Sequence, residues 1–193
     1  MNKISFGAKI PVAICQIKNK NTQQMRKAVI YEYDCKDISD YWALAKIEKE
    51  QKWKYADIIA AKADLKCNGR MLQDESIYSL EDESGKTVGL CNFRETSRNT
   101  EVRYIESKSD DVYKYVGQNM LALLAKRAFY SGKKEIRIAN AQHNAFMFYK
   151  KCCFQFDWDE FSNGYNEFYL KREKMPTSIK ETEDKTNTSI KEM

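Results

Sequence analysis

Two segments near the start, Ile10-Pro-Val-Ala-Ile-Cys-Gln-Ile17 and Ala28-Val-Ile-Tyr-Glu-Tyr-Asp34, are rich in strand formers and flank the polar run Lys18 to Gln24, which predicts two strands joined by a loop. Asp37 then stands where a helix cap belongs, and Ile38, Tyr41, Trp42 and Ala45 recur at the spacing of one helical face. A second helix is predicted with Ile58, Ala61 and Leu65 inward, ending near Asn68-Gly69. Ser76 to Leu80 and Thr87 to Phe93, separated by a polar stretch containing Ser84-Gly85, spell a hairpin, and Glu101-Val-Arg-Tyr-Ile-Glu106 adds a third strand. The strongest helix runs from Tyr113 to Tyr130, with Val116, Met120, Leu124 and Ala128 in one stripe and Ser131-Gly132 as its stop. A strand at Glu135 to Ala139, a helix at Asn144 to Lys151, a strand at Phe154 to Trp158, a turn at Asn163-Gly164 and a strand at Glu167 to Leu170 complete the pattern.

That order, β, β, α, α, β, β, β, α, β, α, β, β, predicts an α/β or α+β fold with one mixed, mainly antiparallel sheet flanked by helices. The organisation expected is an extra N-terminal strand and loop over 1–27, a domain over 28–172 and a tail over 173–193. In the tail Thr177-Ser-Ile-Lys-Glu181 recurs as Thr188-Ser-Ile-Lys-Glu192, a low-complexity composition that predicts disorder.

Composition narrows this reading. At 193 residues and 42% hydrophobic content the chain suits one compact domain of about 150 residues with overhang. Without an apolar run of membrane-spanning length or a signal-like N-terminus it is expected to be cytoplasmic, with no membrane partner. The six cysteines, Cys15, Cys35, Cys67, Cys91, Cys152 and Cys153, lack CxxC spacing and a histidine set, so they predict reduced thiols and no metal. The formal charge of +5 is spread in mixed-sign clusters; it suits a solvated surface and also a polyanionic ligand, a phosphate-bearing cofactor or RNA.

Two stretches carry candidate chemistry. Lys114-Tyr-Val-Gly-Gln-Asn119 opens the strongest helix, and a glycine there lets a phosphate approach backbone N–H groups that have no intrahelical partner. In Asn140-Ala-Gln-His-Asn-Ala-Phe-Met-Phe-Tyr-Lys-Lys-Cys-Cys-Phe154, the spacing of Ala145, Phe148, Tyr149, Lys151 and Phe154 resembles the N-x-x-A-x-x-F-Y-x-K-x-G-F signature of the GNAT acetyltransferase superfamily. Lys114-x-x-Gly117-x-Asn119 likewise resembles that family's pyrophosphate loop, R/Q-x-x-G-x-G/A. The element order from Ala28 to Leu170 matches as well, about three quarters of the chain. Gln142 stands for the usual Asn, Cys153 for the Gly before Phe154, Asn119 for the second small residue, and Lys114 keeps a cation without the guanidinium fork.

The resemblance implies acetyl-CoA as co-substrate and direct transfer to an amine acceptor: a small molecule, a peptide or an aminoacyl-tRNA. It implies cofactor contacts from Lys114, Tyr115, Val116, Gly117, Gln118 and Asn119, from Tyr104 and Ile105 on the preceding strand, and from Asn140, Gln142, Phe148 and Tyr149. It makes Tyr149 the general acid for the departing sulfur, with a core aromatic as the alternative, and Glu106 or Glu101 the base. The two acids differ by an odd number of positions, so they face opposite sides unless a bulge intervenes, and only one lines the cleft; Glu106 is preferred for its nearness to the loop. His143, the single histidine, beside Cys152 and Cys153, ranks below direct transfer as part of a covalent system. Tyr41, Trp42, Trp53 and Tyr55 suit an acceptor wall or the core. A noncatalytic interaction protein on the same fold, and an RNA-facing protein using Lys62, Lys66, Arg70, Arg94 and Arg98, stay open beside the enzyme. The N-terminal strand suits pairing with a partner subunit, a possible homodimer.

Overall fold

The computed structural model describes residues 9–34, 53, 75–108, 112–139 and 141–193. The two segments predicted as early helices, with Tyr41, Trp42, Tyr55, Lys62, Lys66 and Arg70, lie outside the described residues, as do Cys35, Cys67 and Asn140. The described elements are β1 (Ile10–Asn19), β2 (Met25–Asp34), β3 (Glu75–Asp82), β4 (Thr87–Glu95), β5 (Asn99–Ser107), β6 (Tyr113–Lys114), α1 (Val116–Tyr130), β7 (Glu135–Ile138), α2 (Phe146–Lys151), β8 (Gln155–Phe156), α3 (Trp158–Ser162), β9 (Phe168–Lys171), α4 (Met175–Thr186) and β10 (Lys191–Glu192). Short 3₁₀ turns precede α2 and α4.

The strands form one ten-stranded sheet in the order β10-β1-β2-β3-β4-β5-β7-β9-β8, with β6 also against β1. β5 and β7 run parallel, and the other described ladders are antiparallel. This is the mixed, mainly antiparallel α+β architecture that the pattern predicts.

α1 packs across the sheet. Its predicted stripe has four residues, but ten of its fifteen are buried, because α4 covers the flank that the sheet leaves. Gly89 of β4 makes the approach possible: a Cβ there would lie 2.4 Å from Val116 Cγ1 and 2.9 Å from Met120 Cε, closer than atoms pack.

Three boundaries differ from the pattern. Tyr113 and Lys114 are a bridge to Asn19 and Lys18 of β1 rather than helix, and α1 begins after Tyr115, whose φ of 71° is left-handed. Trp158 starts α3 instead of ending a strand, because the Asp157 side chain accepts from Asp159 N (3.2 Å) and Glu160 N (3.2 Å) and caps a helix there. The third difference is the tail, which is ordered. Pro176 stands in the first turn of α4, where its missing N–H costs nothing. The inward face carries Met175, Ser178, Thr182 and Thr186, all buried. Their hydroxyls find carbonyls: Ser178 Oγ donates to Cys152 O (2.8 Å), Thr182 Oγ1 to Ser178 O (3.1 Å) and Thr186 Oγ1 to Thr182 O (3.0 Å). A polar stripe is thus buried without orphaned groups.

Past α4, Ile190 is buried and β10 pairs with β1 at Ala13↔Glu192 and Ile14↔Lys191. β1 therefore has β2 on one side and β10 and β6 on the other. On the edge where a partner subunit is expected, β10 covers Ala13 and Ile14 and β6 covers Lys18 and Asn19. Among the described residues no helix is long and apolar enough to cross a membrane.

Candidate active site

β5 and β7 pair from Asn99↔Glu135 to Val102↔Ile138, after which the ladder ends. At the same point β5 carries a bulge. Phe93 of β4 faces Val102 and Asn92 faces Tyr104, so Arg103 is the extra residue. An inserted residue reverses the alternation that follows it. Thr100 and Val102 are buried before the bulge, whereas Ile105 and Ser107 turn toward the front of α1 after it. Glu101, Tyr104 and Glu106 consequently share the other face, and the two acids stand on one side rather than on opposite sides.

The separation of β5 from β7 opens a cavity of about 300 Å³ lined by Val102, Arg103, Tyr104, Ile105, Ile138, Ala139, Ala141, Gln142, Ala145 and Tyr149. A second, of about 120 Å³, is lined by Ile105, Ser107, Gly117, Ala145, Phe148 and Tyr149. Shared Ile105, Ala145 and Tyr149 make these one path from between the strands to the start of α1. Of the residues expected at the cofactor, Tyr104, Ile105, Gln142, Phe148, Tyr149 and Gly117 line it. The sequence reading did not single out Arg103, Ser107, Ile138, Ala139 or Ala141. The small residues just after β7 were the available signal, since a strand that stops at alanines leaves room beside it.

At the front of α1 no side chain caps the helix and no acid occupies its first turn. The ladder begins with Asn119 N donating to Tyr115 O (3.0 Å), so the N–H groups of Val116, Gly117 and Gln118 have no intrahelical partner. Lys114 is exposed and sits across from Lys18 in the β1–β6 bridge. Two facing lysines repel one another and favour an anion between or beside them. Gly117 itself is covered: a Cβ on it would lie 2.8 Å from Phe148 Cζ, so the missing side chain lets that ring close over the helix. Val116 is buried against Gly89, and Tyr115 and Gln118 are half-buried. The Asn119 side chain does not reach the helix front. It is buried and points to the sheet, where Nδ2 donates to Gln16 O (2.8 Å), three residues into the helix and on its inner face.

Tyr149 is 6% exposed and is wedged among Phe148, Phe168 and Phe154, with ring centroids 5.2, 5.3 and 6.3 Å away. Burial, then the neighbouring Cys91 and Cys152, pushes its hydroxyl well above the ordinary tyrosine range, which keeps the proton on the oxygen. Glu101 is held in ion pairs with Arg103 (3.0 Å) and Arg94 (3.7 Å), which commits one of the arginines proposed for RNA; Arg98 is exposed. The Tyr104 hydroxyl donates to Glu106 Oε2. His143 is exposed, with its ring 4.8 Å from Phe146. Burial pushes Cys152 up to about 12, and burial with Glu181 pushes Cys153 up to about 11, so neither thiol is an available thiolate at neutral pH. Trp53 is buried, and among the described residues its Nε1 has no hydrogen-bond partner.

No protein-family model matches the sequence, and no curated protein matches it. Solved structures do match. A coenzyme A complex of the PaiA N-acetyltransferase of Thermoplasma acidophilum aligns at a TM-score of 0.54 and 18% identity, over 74% of this chain and 98% of that one. A protein of Desulfovibrio desulfuricans assigned to the GNAT family aligns at 0.55 and 10% identity, over 75% and 99%. An aminoglycoside 6′-acetyltransferase of type Ii aligns at 0.52 and 13% identity, over 74% and 96%. The ten-stranded sheet, splayed between β5 and β7, thus has the fold of these acetyltransferases.

Proposed function

We propose that this chain transfers an acetyl group from acetyl-CoA directly to the amine of an acceptor. One observation carries the reading: the cleft left by β5 and β7 runs past a buried, protonated Tyr149 to the uncapped front of α1. That path suits a long ligand with a thioester at one end and phosphates at the other. The N–H groups of Val116, Gly117 and Gln118 would hold the pyrophosphate, helped by Lys114 and Lys18. Acetyl-CoA would supply the activated acyl group. Ile105, Ala145 and Phe148 would wall the pantetheine arm from water.

Tyr149 would donate its proton to the sulfur as the carbon–sulfur bond breaks, which avoids releasing a bare thiolate into an apolar pocket. Its raised affinity for the proton makes Tyr149 a hydrogen-bond donor to the developing thiolate before it is an acid, and any proton it gives up is replaced from solvent.

The test begins with calorimetric titration of CoA, for which saturable binding is expected. Turnover is then followed as CoA released from acetyl-CoA in the presence of amines, peptides and aminoacyl-tRNA. Tyr149→Phe keeps the ring and should keep CoA affinity while kcat falls by about 10² to 10⁴. CoA binding without transfer to any acceptor would favour the noncatalytic alternative, and equal kcat values would remove Tyr149 as the acid.

A further inference from the structure

We infer that Tyr104 takes the proton from the acceptor amine and passes its own to Glu106, so that the base is a two-residue relay. The inference rests on the acetyl-transfer reading of the cleft and assigns the base that the reading leaves open.

Three observations carry it. Tyr104 lines the larger cavity on the β5 wall, and Tyr149 lines it from α2. Glu106 lines neither cavity, but its Oε2 accepts from the Tyr104 hydroxyl. Glu101, the other acid on that face, is occupied by Arg103 and Arg94 and also lines neither cavity. The bulge at Arg103 is what makes the arrangement possible. With regular alternation, Tyr104 and Glu106 would share the face of Thr100 and Val102 against α1.

The step balances as follows. The amine lone pair forms the bond to the thioester carbonyl carbon, and the carbon–sulfur bond breaks with its pair on sulfur, which takes the Tyr149 proton. The nitrogen loses one proton to the Tyr104 oxygen while the Tyr104 hydroxyl proton moves to the Glu106 carboxylate. Both tyrosines and Glu106 return to their starting states by exchange with solvent. A tyrosine between substrate and carboxylate keeps the anion away from the apolar cleft, where an isolated charge is costly.

The test uses the full chain with acetyl-CoA as the only thioester and butylamine in excess as probe, reading released CoA with a thiol reagent. Tyr104→Phe and Glu106→Gln are each expected to lower kcat by about 10² with CoA affinity unchanged, and the double variant to be no slower than the slower single. Formate should partly restore Glu106→Ala but not Glu106→Ala/Tyr104→Phe. This arm also decides the matter if Tyr104→Phe alone is poorly folded, because rescue that needs no tyrosine overturns the relay. It is likewise overturned if Tyr104→Phe matches wild type or if the single losses multiply, whereas CoA binding with no release to any amine, peptide or aminoacyl-tRNA overturns the acetyl-transfer reading and the relay with it. Failure to bind CoA does the same.

Discussion

Asp82 shows how far one carboxylate can reach. In the turn between β3 and β4 its Oδ1 accepts from Ser84 N (2.9 Å), Ser84 Oγ (2.6 Å) and Lys86 N (3.1 Å), and its Oδ2 accepts from Tyr113 Oη (3.3 Å) beside the front of α1. Burial raises its pKa, but these donors outweigh burial and hold it below the ordinary 3.8. A depressed acid contributes stability above its unfolded pKa, and that stability is lost as pH falls through the folded one. Asp82→Asn should therefore lower the melting temperature at pH 7, and the gap should close as both proteins are taken below pH 3.8. Melting curves across that range check the sign. The Ser84-Gly85 turn is legible in the sequence, and Gly85 indeed has φ of 79°. The tie to Tyr113 is not, since it joins residues far apart in sequence. The same contrast holds at the cleft: Tyr149 can be read from a local motif, whereas Asn119 stands at the second small position of a loop motif and spends its side chain on Gln16.

At the scale of elements, periodicity recovers α1, the β3–β4 hairpin and the β5 strand because their apolar residues face a core. It misses α4 because the buried residues there are Ser178, Thr182 and Thr186, which count as polar until their carbonyl partners are known. It also misses the Arg103 bulge, which depends on how β4 and β5 are registered. The repeat is instructive. Thr177-Ser-Ile-Lys-Glu181 lies in α4, while Thr188-Ser-Ile-Lys-Glu192 ends in β10, so what each copy packs against decides its state, and propensity does not. Removing residues 175–193 should uncover the flank of α1 together with the sites of Met175 and Ile190, both 1% exposed or less. Each buried side chain of that size contributes about 1.5 to 3 kcal/mol, so the melting temperature should drop by roughly 6 to 24 °C. An unchanged value by differential scanning calorimetry would mean that α4 docks without stabilising the domain.

Across the whole molecule, the contacts that fasten the C-terminal segment come from separate elements. Lys126 Nζ donates to Ile190 O (2.8 Å), Ile190 N donates to Glu183 Oε1 (2.9 Å), and Met193 N donates to Val12 O (3.1 Å). Arg127 gathers the same region by donating to Glu32 Oε2 (2.7 Å) and Tyr78 Oη (2.5 Å), with Glu192 Oε2 3.9 Å from its Nε. Arg127 is thus shared by β2, β3 and β10.

The pairing of Ala13 with Glu192 closes nearly the longest loop this chain can form. Such a contact is entropically costly to make before the rest is in place, and with two residues in β10 it returns little on its own. It should be the last ladder to form and the first to open. Native-state hydrogen exchange is expected to show the Met193 amide exchanging far faster than amides between β3 and β4, without global unfolding. Each opening bares the backbone of β1 at Ala13 and Ile14, so any association of copies through that edge should scale with how often a two-residue strand lifts away rather than with the stability of the domain beneath it.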